Sequence, residues 1–315
     1  FSDNLTYSLN MVSIKNGIIS NNGVVVELTK EENFETNPIQ VSEIVSTDVG
    51  NVGYLMYNQF VATKSNDLNK IFAEFKTTGI IDLVIDLRYN GGGSVRNCVE
   101  LASMITGQLT GEVFSNELWN SKLDAYFLEK YGSDSQKNRF VNVLSDGEPI
   151  NSLELNRVFI LTTSESASAS ELLINGLAPL IEVIHIGEQT VGKNVGSITV
   201  YDYIDNDGTR NPDHRYAMQP IVLKIANSEG FADYADGLEP STLIEEDLQN
   251  MGTLGDKNEP FLATVLNLIE GTTDKYNIPK ALLSRKFLIK DPQLLKRRRM
   301  FSDKLIPLNF IQENN

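Results

Sequence analysis

Val158-Phe159-Ile160-Leu161-Thr162-Thr163-Ser164-Glu165-Ser166-Ala167-Ser168-Ala169-Ser170-Glu171-Leu172-Leu173 changes character halfway along. Its first four residues are apolar and β-rich, which predicts a buried strand, and after the Ser/Ala run Leu172, Leu173 and Leu177 recur at helical spacing. Ser168 therefore falls at a strand-to-helix junction. A helix start leaves backbone N–H groups unpaired and carries partial positive charge, so an oxygen nucleophile there has stabilisation at hand for the oxyanion it creates. The tetrapeptide Ser168-Ala169-Ser170-Glu171 equally fits a capping box, in which serine and glutamate only satisfy orphan amides.

Working outward, Ile181-Glu182-Val183-Ile184-His185-Ile186-Gly187 predicts an interior strand leading to the glycine-flanked bend Thr190-Val191-Gly192-Lys193. A lysine can deprotonate serine only when neutral, a state that burial favours by penalising the ammonium. A solvated loop lysine is the other reading of Lys193. Upstream, the strand Ile80-Ile81-Asp82-Leu83-Val84-Ile85-Asp86-Leu87 breaks into Arg88-Tyr89-Asn90-Gly91-Gly92-Gly93, after which Val95, Cys98, Val99, Ala102 and Ile105 mark one face of a helix. Consecutive glycines bring backbone amides close to a ligand, which suits an oxyanion hole or an anion nest; a tight structural turn has the same composition. No Gly-Lys-Ser/Thr follows, so this is not a Walker phosphate loop. With Leu68, Ile71, Phe72 and Phe75 marking a further amphipathic helix, the βα alternation predicts an α/β layered core. A nucleophile, an amine base and a backbone-amide loop in one chain read as a serine hydrolase that works without histidine.

The three segments, in this order, resemble the carboxy-terminal processing (tail-specific) serine peptidases, whose pattern is a strand ending in Asp-Leu-Arg-x-Asn-x-Gly-Gly, then Ser-Ala-Ser-Ala-Ser-Glu, then Gly-Lys. The resemblance implies a Clp protease/crotonase-like layered core, Ser168 as nucleophile and Lys193 as general base. It places the oxyanion hole on the amides of Gly93 and Ala169, with Gly92 as the alternative donor. It extends to Val52-Gly53-Tyr54-Leu55-Met56-Tyr57-Asn58-Gln59-Phe60 as the leading strand and to Tyr234-Ala235-Asp236-Gly237-Leu238-Glu239-Pro240 as the closing segment. Many members carry glutamine four positions after the lysine, orienting the amine; here Ser197 stands there, with Glu171 the other candidate for a supporting role. The implied organisation is a remnant of a PDZ-like or linker region over residues 1–39, a catalytic domain over 40–271 and a basic extension over 272–315. The implied activity is endopeptidase cleavage of polypeptides near unstructured C-terminal tails by an exported protein of the periplasm or cell envelope. A lipid anchor or the rest of a PDZ-like module would then precede residue 1. No metal or organic cofactor is implied. The competing class is a catalytically silent ligand- or peptide-binding protein of the same fold.

Composition agrees with this. At 315 residues and 41% hydrophobic the chain can bury a full core, and its net charge of −15 argues against nucleic acid as a general partner. The single cysteine, Cys98, lies on an apolar helix face and reads as core. No apolar stretch is long enough to span a membrane. Residues 272–315 carry ten Lys/Arg against four Asp/Glu, including Lys296-Arg297-Arg298-Arg299, a run that reads as a solvated helix face packed on an acidic body. Asp205-Asn206-Asp207-Gly208 starts like a calcium loop, but Tyr216 stands where the closing glutamate belongs, so a hairpin turn is expected. His185, on an apolar strand, reads as a core residue, and neither it nor His214 lies in a triad pattern. The polar residues 107–152, with Trp119, Tyr126, Phe127 and Tyr131 interspersed, read as a lid or an inserted helical pair.

Overall fold

Leu83, Val84 and Ile85 are consecutive and all fully buried, so their strand must be covered on both faces. The computed structural model, which describes residues 4–32, 34–205, 208–272 and 299–304, shows how. In chain order the strands are β1 (Thr6–Lys15), β2 (Ile18–Thr29), β3 (Ile39–Thr47), β4 (Gly50–Tyr57), β5 (Asp82–Asp86), β6 (Gly92–Ser94), β7 (Val113–Trp119), β8 (Lys137–Arg139), β9 (Arg157–Thr162), β10 (Glu182–Gly187), β11 (Val195–Ser197), β12 (Val200–Tyr201), β13 (Ala217–Met218), β14 (Ile221–Asn227), β15 (Thr242–Leu243) and β16 (Arg299–Phe301). The α-helices are α1 (Ser65–Thr78), α2 (Val95–Ile105), α3 (Ser121–Tyr131), α4 (Ala169–Leu177) and α5 (Pro260–Glu270).

One sheet has the order β15-β10-β9-β5-β4-β3, parallel throughout except for the antiparallel β3 at its edge. The period of two along each strand sorts its side chains. Leu55, Leu83, Ile85, Val158 and Ile160 face a core shared with α1, α2 and α4, through Leu68, Phe72, Leu101 and Leu172 among others. Tyr54, Met56, Val84, Phe159 and Leu161 face the opposite way, onto Phe261, Leu262, Val265 and Leu266 of α5. Truncating any one of these to alanine would cost about 2–5 kcal/mol, so the layering fixes the register. This is the layered α/β core expected from the sequence.

A second sheet, β6-β16-β11-β14-β7-β8, packs against α2 and α4, with Phe114, Trp119, Leu223, Ile225 and Met300 in their shared core. The segment 107–152 is neither a lid nor a helical pair. Besides α3 it supplies β7 and β8, because Phe114 and Trp119 of β7 turn into the main core while Leu118 stays exposed. β12 and β13 pair antiparallel, and Thr209 N–H donates to Asp205 Oδ1 at 2.9 Å, as a hairpin requires; Asn206 and Asp207 lie outside the described residues. So do Lys296, Arg297 and Arg298 of the basic run. β1 and β2 form a two-stranded sheet of their own. Among the described residues no helix is long and apolar enough to cross a membrane.

The end of β5 is pinned by a buried ion network. Arg88, 1% exposed, donates to Asp86 (Nη2–Oδ2, 2.7 Å) and to Glu259 (Nη1–Oε1, 2.8 Å), with Glu246 at 3.7 Å, and its guanidinium lies over the Phe261 ring at 4.4 Å. Tyr54 Oη donates to Asp86 Oδ2 at 2.7 Å, and burial followed by the neighbouring Asp86 charge drives that phenol far above its ordinary pKa. Glu259 is also the N-cap of α5, accepting from Leu262 N–H at 2.8 Å. One side chain therefore ties the start of α5 to the strand that leads into the glycine loop. Breaking such a buried pair costs about 3–5 kcal/mol, because a charge is left without compensation.

Candidate active site

Each member of the Ser/Ala run has a distinct job at the end of β9. Ser166 Oγ donates to Leu87 O at 2.7 Å and accepts from Thr163 N–H at 3.0 Å. Ala167 N–H and Ser170 Oγ both donate to Asn90 O, at 3.1 and 2.9 Å. Two of the three serines are thus spent on fastening the serine turn to the glycine loop, and Ala167 and Ala169 are fully buried, leaving no room for larger side chains. Ser168 is the exception. Its Oγ is buried and has no hydrogen-bond partner. Its backbone sits at φ 67°, ψ −110°, a conformation that costs an L-residue about 1–3 kcal/mol and persists only where the surroundings impose it.

Glu171 imposes it. The carboxylate is fully buried, and its Oε2 accepts from Ser168 N–H at 2.6 Å and from Lys193 N–H at 2.9 Å. Its Oε1 accepts from Thr190 Oγ1 at 2.6 Å and from Gly192 N–H at 2.5 Å. The backbone nitrogens of Ser168 and Lys193 are thereby held within two hydrogen-bond lengths of each other. The capping-box arrangement is present: glutamate reaches back to the Ser168 amide, and the Ser168 side chain turns to the Glu171 amide, too loosely for a full hydrogen bond. Val191 N–H donates to Ser166 O at 3.0 Å, fastening the lysine loop to the serine turn a second time. Lys193 itself is half-buried. Gly192 takes φ 89° and a Cβ there would lie 2.1 Å from Ala235 O, so only glycine lets the closing segment press onto this loop.

The glycine loop is held by Asn90, which is fully buried, donates to Tyr57 O at 2.8 Å and accepts Gly92 N–H at 2.8 Å. A Cβ on Gly93 would lie 2.0 Å from Phe60 O. Phe60 N–H donates to Gly92 O and Phe60 O accepts Ser94 N–H, so Gly93 turns its own N–H and C=O the other way, toward β16. The Ala169 amide opens α4 and is one of the donors that a helix start leaves without an intrahelical partner. Ser197, at the family's glutamine position, donates to Met300 O at 3.2 Å, which commits its single proton to β16.

Three residues that the sequence alone left unassigned belong to this frame. Asn90 was legible only as the residue before the glycines, and Thr190 only as part of a bend. Tyr234 is buried with an unpartnered Oη, its pKa driven well up by burial and by the nearby Glu171. Cys98 packs beneath the turn with Sγ 3.4 Å from Ala169 O, and burial pushes its thiol up as well, as befits a core residue. His185 lies away in the first sheet, on Thr162 Oγ1 at 2.7 Å.

A strained, buried serine at a strand-to-helix junction, with a glycine loop and a lysine loop fastened to it, is the candidate site of this layered α/β protein. The chain belongs to Peptidase family S41, whose model matches residues 51–218. It is 25% identical over 215 residues to a "Probable CtpA-like serine protease" of Staphylococcus epidermidis, covering 68% of this chain and 38% of the relative. It is 24% identical over 183 residues to the chloroplastic carboxyl-terminal-processing peptidase 1 of Arabidopsis thaliana, covering 58% of this chain and 33% of the relative. The chain thus spans about a third of the length of those proteins. Among solved structures it is similar to an S41-type protease of Bacteroides fragilis, at a TM-score of 0.69 and 25% identity over 86% of this chain and 68% of the other. It also shares the fold of the photosystem II D1 C-terminal processing protease, at a TM-score of 0.50 and 19% identity over 80% of this chain and 56% of the other.

Proposed function

We propose that this chain is a serine endopeptidase that cleaves polypeptides near unstructured C-terminal tails, working through Ser168 and Lys193. The observation that carries the reading is the shared oxygen of Glu171, which binds the main chain of both residues at once. Ser168 Oγ attacks the scissile carbonyl. The Lys193 amine takes its proton and returns one to the leaving amine, and water then hydrolyses the acyl-enzyme. The Ala169 and Gly93 amides hold the tetrahedral oxyanion, while Gly92 is the poorer donor because its N–H is given to Asn90. The preference for tails and an exported, periplasmic or envelope location rest on likeness to the processing peptidases.

The test is incubation with a mixed pool of denatured proteins and mass spectrometry of the new termini, comparing the chain with its Ser168→Ala and Lys193→Ala variants. New termini should accumulate with the parent, and each variant should slow cleavage by about 10⁴-fold or more, as expected for members of one catalytic unit. Equal cleavage by parent and both variants removes the mechanism.

A further inference from the structure

The strand order of the second sheet places the chain's own segment between the two halves of the proposed site. β6 carries the glycine amides and β11 opens two residues after Lys193, yet the two are not neighbours: β16 lies between them, parallel to both. Met300 pairs with Gly93, and Phe301 pairs with Ser94 on one side and with Ser197 on the other. Because Gly92 O and Ser94 N–H point at Phe60, the ladder toward β16 uses the Gly93 N–H, the amide assigned above to the oxyanion. A polypeptide about to be cleaved must present its main chain to that same amide. The slot it would enter is filled.

The occupant is held by a polar latch at its far end. Asp303 Oδ2 accepts from Ser94 Oγ at 2.7 Å and from Arg96 N–H at 3.2 Å, so it sits at the positive start of α2. Lys304 Nζ donates to Glu117 Oε2 at 2.6 Å and Ser302 Oγ to Glu117 Oε1 at 3.1 Å. Ser302 N–H donates to Ser197 O at 3.0 Å. The Asp303 and Lys304 side chains keep 20% and 29% of their surface in solvent and border a cavity of about 400 Å³ beside α2, so the latch can be disengaged without opening the core.

We propose that Arg299–Lys304 is an intramolecular occupant of the substrate-strand slot, and that an extended polypeptide binds between β6 and β11 by displacing it. The proposal rests on the peptidase reading for its consequence, inhibition, but not for the slot itself. An internal competitor raises KM by the reciprocal of the fraction of chains whose slot stands open and leaves kcat alone. Weakening the latch therefore strengthens substrate binding.

The test uses the full chain carrying Asp303→Asn with Lys304→Ala, and Lys304→Ala alone as the milder variant should the pair unfold. Against denatured casein, KM should fall about tenfold in the double variant, the equivalent of one charged hydrogen bond lost by the competitor, with kcat unchanged. A synthetic peptide of residues 299–304 added in trans should inhibit competitively. A second arm needs no activity: in the Ser168→Ala background, the fluorescein-labelled peptide should raise anisotropy with the latch variants at concentrations about tenfold below those needed with the intact latch. Peptide binding without any cleavage by the Ser168 chain leaves the slot standing and removes the peptidase reading. Cleavage with KM unmoved or raised in a natively folded latch variant, and no binding of the peptide, shows β16 to be a fixed strand of the sheet and overturns the proposal.

Discussion

Ser168 combines two costs that a purely structural residue would not retain, a backbone in a sparsely populated region and a hydroxyl buried without a partner. An unsatisfied buried hydroxyl costs about 1–3 kcal/mol, so Ser168→Ala should raise the thermal midpoint, by the equivalent of about 1 kcal/mol, while abolishing cleavage. A calorimetric scan decides it: a lowered midpoint would mean that the hydroxyl serves as a helix cap after all. Glu171 is the opposite case, a buried charge whose oxygens accept from four donors. In Glu171→Gln one carboxylate oxygen becomes an NH₂ group facing N–H and O–H donors. The loss should be about 3 kcal/mol or more in stability, with kcat falling and KM little changed, because Ser168 and Lys193 lose their common anchor while the slot does not. Denaturant titration and initial rates measure the two parts separately, and retention of both stability and kcat would remove Glu171 from the site.

At the scale of elements, β9 and β10 show how one strand pair is both scaffold and pH liability. His185 of β10 pairs with Ile160 of β9 and contacts Thr162 Oγ1, which itself donates to Glu188 O at 2.7 Å. Burial lowers the His185 pKa from 6.5 to about 4. Between those values the unfolded chain binds a proton that the folded chain refuses, so stability falls as pH drops through 6.5 and the loss is complete near the folded value. The full penalty is about 3 kcal/mol. Thermal midpoints of the parent should therefore decline between pH 7 and pH 4.5 more steeply than those of His185→Gln. Equal slopes would mean that other groups set the acid limit.

For the whole molecule, what could be read locally and what could not divide along range of contact. The glycine loop, the Ser/Ala turn and the lysine bend each carry their chemistry in consecutive residues, and β5, β9 and α4 announce themselves by burial period. The second sheet does not. β6, β8, β11 and β16 are three residues long, and a strand's face can be read from its own residues whereas its partner, hundreds of positions away in the case of β16 and β6, cannot. Ser197 illustrates this: its sequence position suggests a substitute for glutamine, and only the ladder reveals Met300 O as its acceptor. The β1–β2 hairpin raises the converse question, since it joins neither large sheet. Its Tyr7, Leu9, Met11, Val24, Val26 and Leu28 share one apolar face, yet among described residues 4–32 only Ile14 is even half-buried. Gly17 N–H, at its turn, donates to Gln249 Oε1 of the body at 2.9 Å. A two-stranded ribbon in water is marginal on its own, so it adds nothing to the layers it does not touch. Removing residues 1–34 should leave the unfolding free energy of the remaining chain within about 0.5 kcal/mol of the parent's, as for any change remote from the core. Side-by-side urea titrations of the two chains test this, and a loss of several kcal/mol would show that the hairpin's apolar face is part of the folded core in solution.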